Sequence, residues 1–196
     1  HSLRMVLVGY MDQNFGALTK ISAELLTVLD DERIVFWFVN QWVAIEHPKI
    51  MLIPLGVNDW PIHNFVNAIW TRPTRHRQWI ISILHHPRGS ASLRTRLYTQ
   101  GQCIFPRRGG YVLPTGNASS CGAVKENRCW KPYIDAALSS RMALSPPGLG
   151  FDCHRTYELL AAGVVPIVQH STMDRMFAHL PVILVDDLEK AIQDID

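Results

Sequence analysis

Short apolar runs alternate along the chain with segments whose apolar positions recur every three to four residues. RMVLVGY (4–10) is rich in β-branched residues and predicts a strand. In GALTKISAELLTVLDD (16–31), Leu18, Ile21, Leu25, Leu26 and Leu29 fall at helical spacing. RIVFWFV (33–39), KIMLIPL (49–55) and QWIISIL (78–84) are continuous apolar runs, the pattern of strands buried on both faces. SLRTRLYTQ (92–100) predicts a short helix, and 101–128 an irregular section rich in Gly, Pro and polar residues. Beyond it come helix 131–140, strand 141–145, helix 154–162 stopped by Gly163, strand 164–169, helix 172–180, strand 182–186 and helix 188–195.

Strands that alternate with helices in this way build a parallel sheet, because each parallel crossover needs a helix to return the chain. The fold class is therefore α/β with a Rossmann-like parallel sheet. In such sheets ligands bind at the carboxyl ends of the strands, where loops run into helix N-termini. The linker-like PLGVNDWP (54–61) divides the chain into a shorter part, 1–58, and a longer one, 59–196.

Composition adds bounds. With 47% hydrophobic and 18% charged residues, the 196-residue chain is globular rather than disordered. No apolar run reaches the roughly 18 residues of a membrane span, so any membrane attachment rests on an anchor outside this sequence. Cys103, Cys121, Cys129 and Cys153 follow no metal-binding spacing, and no metal site is expected. Cys121 and Cys129 could close a loop as a disulfide, and Asn117 heads a glycosylation sequon, both suited to a secretory lumen. Reduced thiols and a chance sequon suit a cytoplasmic protein equally.

The net charge of +2 conceals an asymmetry. Between Trp60 and Lys125 there is no Asp or Glu, while Arg72, Arg75, Arg77, Arg88, Arg94, Arg96, Arg107, Arg108 and Lys125 lie in that span. This region calls for an anion. No basic face interleaved with aromatics and no nucleic-acid motif is present, so nucleic acid is not the expected partner. A phosphate-bearing small molecule needs only a few of these arginines.

The stretch LSPPGLGFDCHRTYELLAAGVVPIV (144–168) is where such a ligand is expected. Asp152 is a good N-cap for the helix that follows, and Gly148 and Gly150 allow a phosphate to approach the backbone closely. The helix N-terminus attracts anions. Arg155 in its first turn opposes the dipole and wants an anionic partner, and Glu158 lies three residues on. The alternative is a mutual Arg155–Glu158 pair on the helix surface. His154 and Ser145 flank the same junction. A Rossmann oxidoreductase is disfavoured, since the first strand–helix junction, VGYMDQNFGA, lacks the dinucleotide fingerprint.

At these residues the sequence resembles the exostosin-like glycosyltransferases (glycosyltransferase family 47), which have the GT-B fold. The resemblance rests on 144–168, on LPVILVDDLEKAI (180–192), and upstream on HPKIMLIPLGV (47–57) and RHRQWIISILHHPRGSASLRTRLY (75–98). It departs at ILHHPRG and in a short N-terminal part. It implies that 59–196 is the C-terminal nucleotide-sugar-binding lobe and 1–58 a partial N-terminal, acceptor-side lobe. The implied activity moves a sugar from a nucleotide diphosphate donor, a UDP-sugar, to a hydroxyl of a glycan or glycoprotein acceptor, without a metal or other cofactor. The implied setting is the Golgi or secretory lumen. By position, Glu158 would hold the ribose and Arg155, with Arg94 or Arg96, the diphosphate, while Ser145, Gly148, Gly150, Asp152 and His154 complete the donor site. The resemblance assigns no catalytic base. Asp12 reads first as a loop or capping aspartate, and His85 and His86 end a strand on the donor side. A nucleotide-sugar-binding module without catalysis is the alternative function.

Overall fold

The computed structural model describes residues 4–9, 23–40, 47–57, 66–68, 77–84, 92–113, 131–148 and 150–194. The chain divides into two compact units. The first comprises His1–Leu55, Pro147–Cys153 and His170–Leu180, and the second Gly56–Pro146, His154–Gln169 and Pro181–Asp196.

In the first unit, β1 (Met5–Gly9), β2 (Ile34–Val39) and β3 (Ile50–Leu52) form a parallel sheet in that order. The register sets Trp37 opposite Ile50 and Val39 opposite Leu52, so these four share a face. Helix α1 (Ala23–Asp30) packs Leu29 onto that face, and Lys49 Nζ donates to the Leu29 and Asp31 carbonyls at the helix end. Leu26, expected on the buried stripe, is exposed, as are Val6, Phe36 and Met51 on the alternate face of the sheet. The third strand is shorter than its apolar run. Ile53 N–H still donates to the Val39 carbonyl, but Pro54 has no N–H with which to continue the ladder. The helix expected over 172–180 is instead a single 3-10 turn, Asp174–Met176. The Asp174 carboxylate accepts from Ser171 N–H and faces His170 Nδ1, and Pro181 disfavours helical backbone at Leu180.

In the second unit, β4 (Trp79–Ile83), β5 (Tyr111–Val112), β6 (Ser140–Leu144), β7 (Val165–Gln169) and β8 (Ile183–Val185) form a five-stranded sheet of order β5-β4-β6-β7-β8. Every pairing is parallel. Helices α2 (Leu93–Ile104), α3 (Lys131–Leu138), α4 (His154–Ala161) and α5 (Leu188–Gln193) accompany it. Leu97 and Tyr98 of α2 and Leu188 and Ile192 of α5 pack with Ile81, Ile83, Leu144 and Ile167. Tyr133, Ile134 and Ala137 of α3 and Leu159 of α4 pack with Ala143 and Val164. Because Ala143 and Leu144 point to opposite faces of β6, the two apolar layers cover the two sides of the sheet. This is a Rossmann-like α/β fold.

Several contacts fix it. Ser140 Oγ donates to the Ala136 carbonyl and therefore accepts from Ser82 Oγ, so a buried hydroxyl pair joins β4, β6 and the end of α3. Arg77 donates to the Ser140 carbonyl at the start of β6 and to the Ala162 carbonyl at the end of α4. Gly163 has a φ of 67°, a left-handed conformation that ends α4 as its position in the sequence predicts.

Helix α2 runs beyond the expected 92–100 because Gly101 lets it lie directly against Ile83. It stops where Pro106 enters the 3-10 turn Phe105–Arg107. The section expected to be irregular also contains β5, an edge strand of only two residues that periodicity cannot detect. Gly110 sits against the buried Phe105 ring, so that a Cβ there would lie 2.7 Å from Phe105 Cβ and Cγ. Gly110→Ala is therefore expected to destabilise the protein by about 1–3 kcal/mol through overpacking. An unchanged midpoint in urea denaturation would contradict this packing.

Candidate functional site

Chain direction marks a candidate site in the second unit. From β4 the chain passes through α2 to β5, the neighbour on one side, whereas from β6 it passes through α4 to β7 on the other. Strands β4 and β6 are themselves neighbours, with Ile83 opposite Leu144 at their carboxyl ends. The loops leaving these two strands diverge, and this topological switch point is where open α/β sheets bind ligands.

The residues just beyond β6 are polar and ordered. Ser145 is buried, its N–H donates to the Ile167 carbonyl, and its hydroxyl shares a 2.9 Å hydrogen bond with that of Thr156 on α4. Arg94 lies in the first turn of α2, whose N-cap Ser92 accepts from Thr95 N–H. The Arg94 guanidinium approaches the Pro146 carbonyl at 3.5 Å. Arg94 is thus turned towards the chain leaving β6.

Arg155, in the first turn of α4, is the unusual group. Its Nε and Nη1 are buried, and neither has a hydrogen-bond partner among the described residues. Buried N–H donors are nearly always satisfied, so this guanidinium marks a place for an acceptor. The surface pair with Glu158 is not made. Glu158 is itself buried, and its Oε2 accepts a 2.7 Å hydrogen bond from the Tyr133 hydroxyl of α3. His154 Nδ1 lies 2.8 Å from the Gly56 carbonyl, and only an N–H can donate there. The imidazole therefore carries its proton on Nδ1 and turns Nε2 away from that carbonyl.

Arg96, the other candidate of the first turn of α2, is engaged elsewhere. Its Nε and Nη2 grip the Glu189 carboxylate of α5, which raises the pKa of the guanidinium. Of the remaining cations in the acid-free span, Arg77 is held by carbonyls and Arg108 donates to the Gln193 carbonyl. The basic excess is thus partly structural. Cations here neutralise carbonyl ends of helices and strands, a use that composition cannot separate from ligand binding.

The loop 147–153 belongs to the first unit. There Gly148 N–H donates to the Gly150 carbonyl, tightening the turn. Asp152, expected to cap the helix, is buried with both oxygens on backbone N–H groups, Oδ1 on Cys153 and Oδ2 on Leu55. It ties the loop to the end of the third-strand segment. Cys153 and Cys103 are free thiols. Asp12, His85, His86, Arg72, Arg75, Arg88, Asn117, Cys121, Lys125 and Cys129 lie outside the described residues. Among the described residues no group of three or more His, Cys, Asp or Glu is placed to hold a metal ion. No helix among them is long and apolar enough to cross a membrane.

Sequence reasoning missed Tyr133 and Thr156. Each is a polar residue inside a predicted helix, and nothing in the sequence pairs Tyr133 with a residue 25 positions away.

No protein-family model matches the chain. Over 126 residues it is similar, at 29% identity, to ribitol-5-phosphate xylosyltransferase 1 of Mus musculus, a match covering 64% of this chain and 27% of that protein. The chain thus spans about a quarter of the length of this relative. The similarity is to a glycosyltransferase.

Two substitutions separate the structural and ligand-directed residues. Asp152→Ala leaves two backbone N–H groups unmet and is expected to cost about 1–3 kcal/mol in denaturation. Arg155→Met removes donors that have no protein partner and is expected to leave stability unchanged or raised. A loss above about 2 kcal/mol for Arg155→Met would show that the guanidinium is a structural group.

Proposed function

We propose that the protein is a glycosyltransferase that takes a sugar from a nucleotide diphosphate donor, a UDP-sugar, and delivers it to a hydroxyl of a glycan or glycoprotein. The observation that carries this reading is that Nε and Nη1 of Arg155, in the first turn of α4, are buried without a hydrogen-bond partner among the described residues. A cation and a helix N-terminus directed to one place suit a diphosphate, whose leaving charge they would neutralise. The similarity to a xylosyltransferase and the resemblance to exostosin-like enzymes support the sugar-transfer chemistry.

In this reading Arg155 and Arg94 hold the diphosphate and Glu158 the ribose hydroxyls, while the Ser145–Thr156 hydroxyl pair ties the end of β6 to α4. His154 is held by Gly56 and offers Nε2. Arg96, tied to Glu189, supports α2 instead of the ligand. Transfer breaks the bond between the anomeric carbon and the diphosphate oxygen and forms one to the acceptor oxygen, whose proton passes to a base. In the same proposal residues 59–196 belong to the donor lobe and 1–58 to part of the acceptor-side lobe. A secretory or Golgi lumen, suggested by the Asn117 sequon, is part of the same proposal.

Titration calorimetry with UDP, UMP and uridine tests the site. UDP is expected to bind more tightly than UMP, and Arg155→Ala to weaken UDP about tenfold or more while leaving uridine unaffected. Equal UDP affinity in a folded Arg155→Ala protein removes the site. Binding is expected to persist in EDTA, and a tenfold gain on adding Mn²⁺ would contradict charge neutralisation by arginine and helix alone. UDP binding without hydrolysis or transfer across a panel of UDP-sugars would mark a binding module.

A further inference from the structure

The proposed donor site assigns Glu158 but not the residue that holds it. We infer that Tyr133 is a positioning residue that fixes the Glu158 carboxylate for ribose recognition, and thereby sets the preference for ribose over deoxyribose. This rests on the UDP-binding reading above.

Both residues are 6% exposed, and the Tyr133 hydroxyl donates to Glu158 Oε2 at 2.7 Å. Among the described residues Glu158 Oε1 has no hydrogen bond, so one oxygen is anchored and the other remains available. The last torsion of a glutamate is broad, and a carboxylate without an anchor samples many orientations. Freezing such a side chain on binding costs affinity, and anchoring it beforehand removes that cost. Tyr133 and Ile134 on α3 and Leu159 on α4 belong to one buried cluster, so the phenol is itself held rigidly. A carboxylate accepts only, so its free oxygen can reward a ligand hydroxyl at that place and gives nothing to a ligand lacking one. The discrimination therefore depends on where Oε1 points, and Tyr133 determines that.

The experiment compares the dissociation constants of UDP and 2′-deoxy-UDP for the unaltered chain, Tyr133→Phe and Glu158→Gln, with thermal melting to confirm folding. Tyr133→Met, also lacking the hydroxyl, replaces Tyr133→Phe should that variant fail to fold. The unaltered protein is expected to prefer UDP about tenfold, and Glu158→Gln to lose the preference. Tyr133→Phe is expected to lower the preference to within about twofold of Glu158→Gln, through weaker UDP binding at unchanged 2′-deoxy-UDP affinity. A general disturbance of the pocket would weaken both ligands alike and overturns the inference. So does a Tyr133→Phe protein that keeps the full preference. If the unaltered chain binds no UDP, the functional reading itself falls, an outcome distinct from UDP binding that ignores Tyr133.

Discussion

The parallel pairing of β4 with β6 is the constraint on which the second unit depends. Those strands are far apart in the sequence, and their register, Trp79 opposite Ser140 through Ile83 opposite Leu144, sets where every later element falls. The buried Ser82–Ser140 hydroxyl pair adds a second tie between the strands, reaching across the register in which Ser82 itself stands opposite Ala143. Once the strands are neighbours, the chain must leave them in opposite directions. Arg94 and Arg155 each stand in the first turn of the helix that follows one of these two strands.

Electrostatics in this unit is a matter of placement more than of net charge. Arg77, Arg96 and Arg108 end on carbonyls or on Glu189 and stabilise the scaffold. Nε and Nη1 of Arg155 lack such a partner among the described residues. A first-turn cation is disfavoured by the helix dipole, and a buried N–H without an acceptor adds a desolvation penalty. The fold tolerates both at one residue. Binding sites characteristically hold such locally unfavourable groups, because what is unsatisfied in the free protein becomes available to a ligand.

The sheet was legible because parallel strands buried on both faces leave unbroken apolar runs such as QWIISIL, and Gly163 marked the end of α4 directly. The two-residue β5 was not legible, since its pairing to β4 is set by tertiary structure and leaves no periodicity. The apolar spacing in TMDRMFAHL predicted a helix, but Asp174 hydrogen-bonds the backbone before it and closes a turn instead. Of the site, the junction at 145–158 could be read from its glycines, aspartate and arginine. The roles within it could not. Asp152 carries the chemistry of a cap and of a ligand equally well, and only its contacts with Leu55 and Cys153 decide its use. Tyr133 has no motif at all.

Arg77 has a mechanical consequence. By holding the Ser140 and Ala162 carbonyls together, it clasps the two ends of a segment that runs up β6, through the loop and down α4. A clasped segment behaves as a closed ring whose base is fixed independently of its tip. Lengthening the tip ahead of Asp152, whose contacts with Leu55 and Cys153 are kept, then costs about 0.6 kcal/mol of loop entropy for each doubling and leaves the strand register and helix end in place. Insertion and deletion can therefore accumulate in the tip while the base, held by one guanidinium, stays the same.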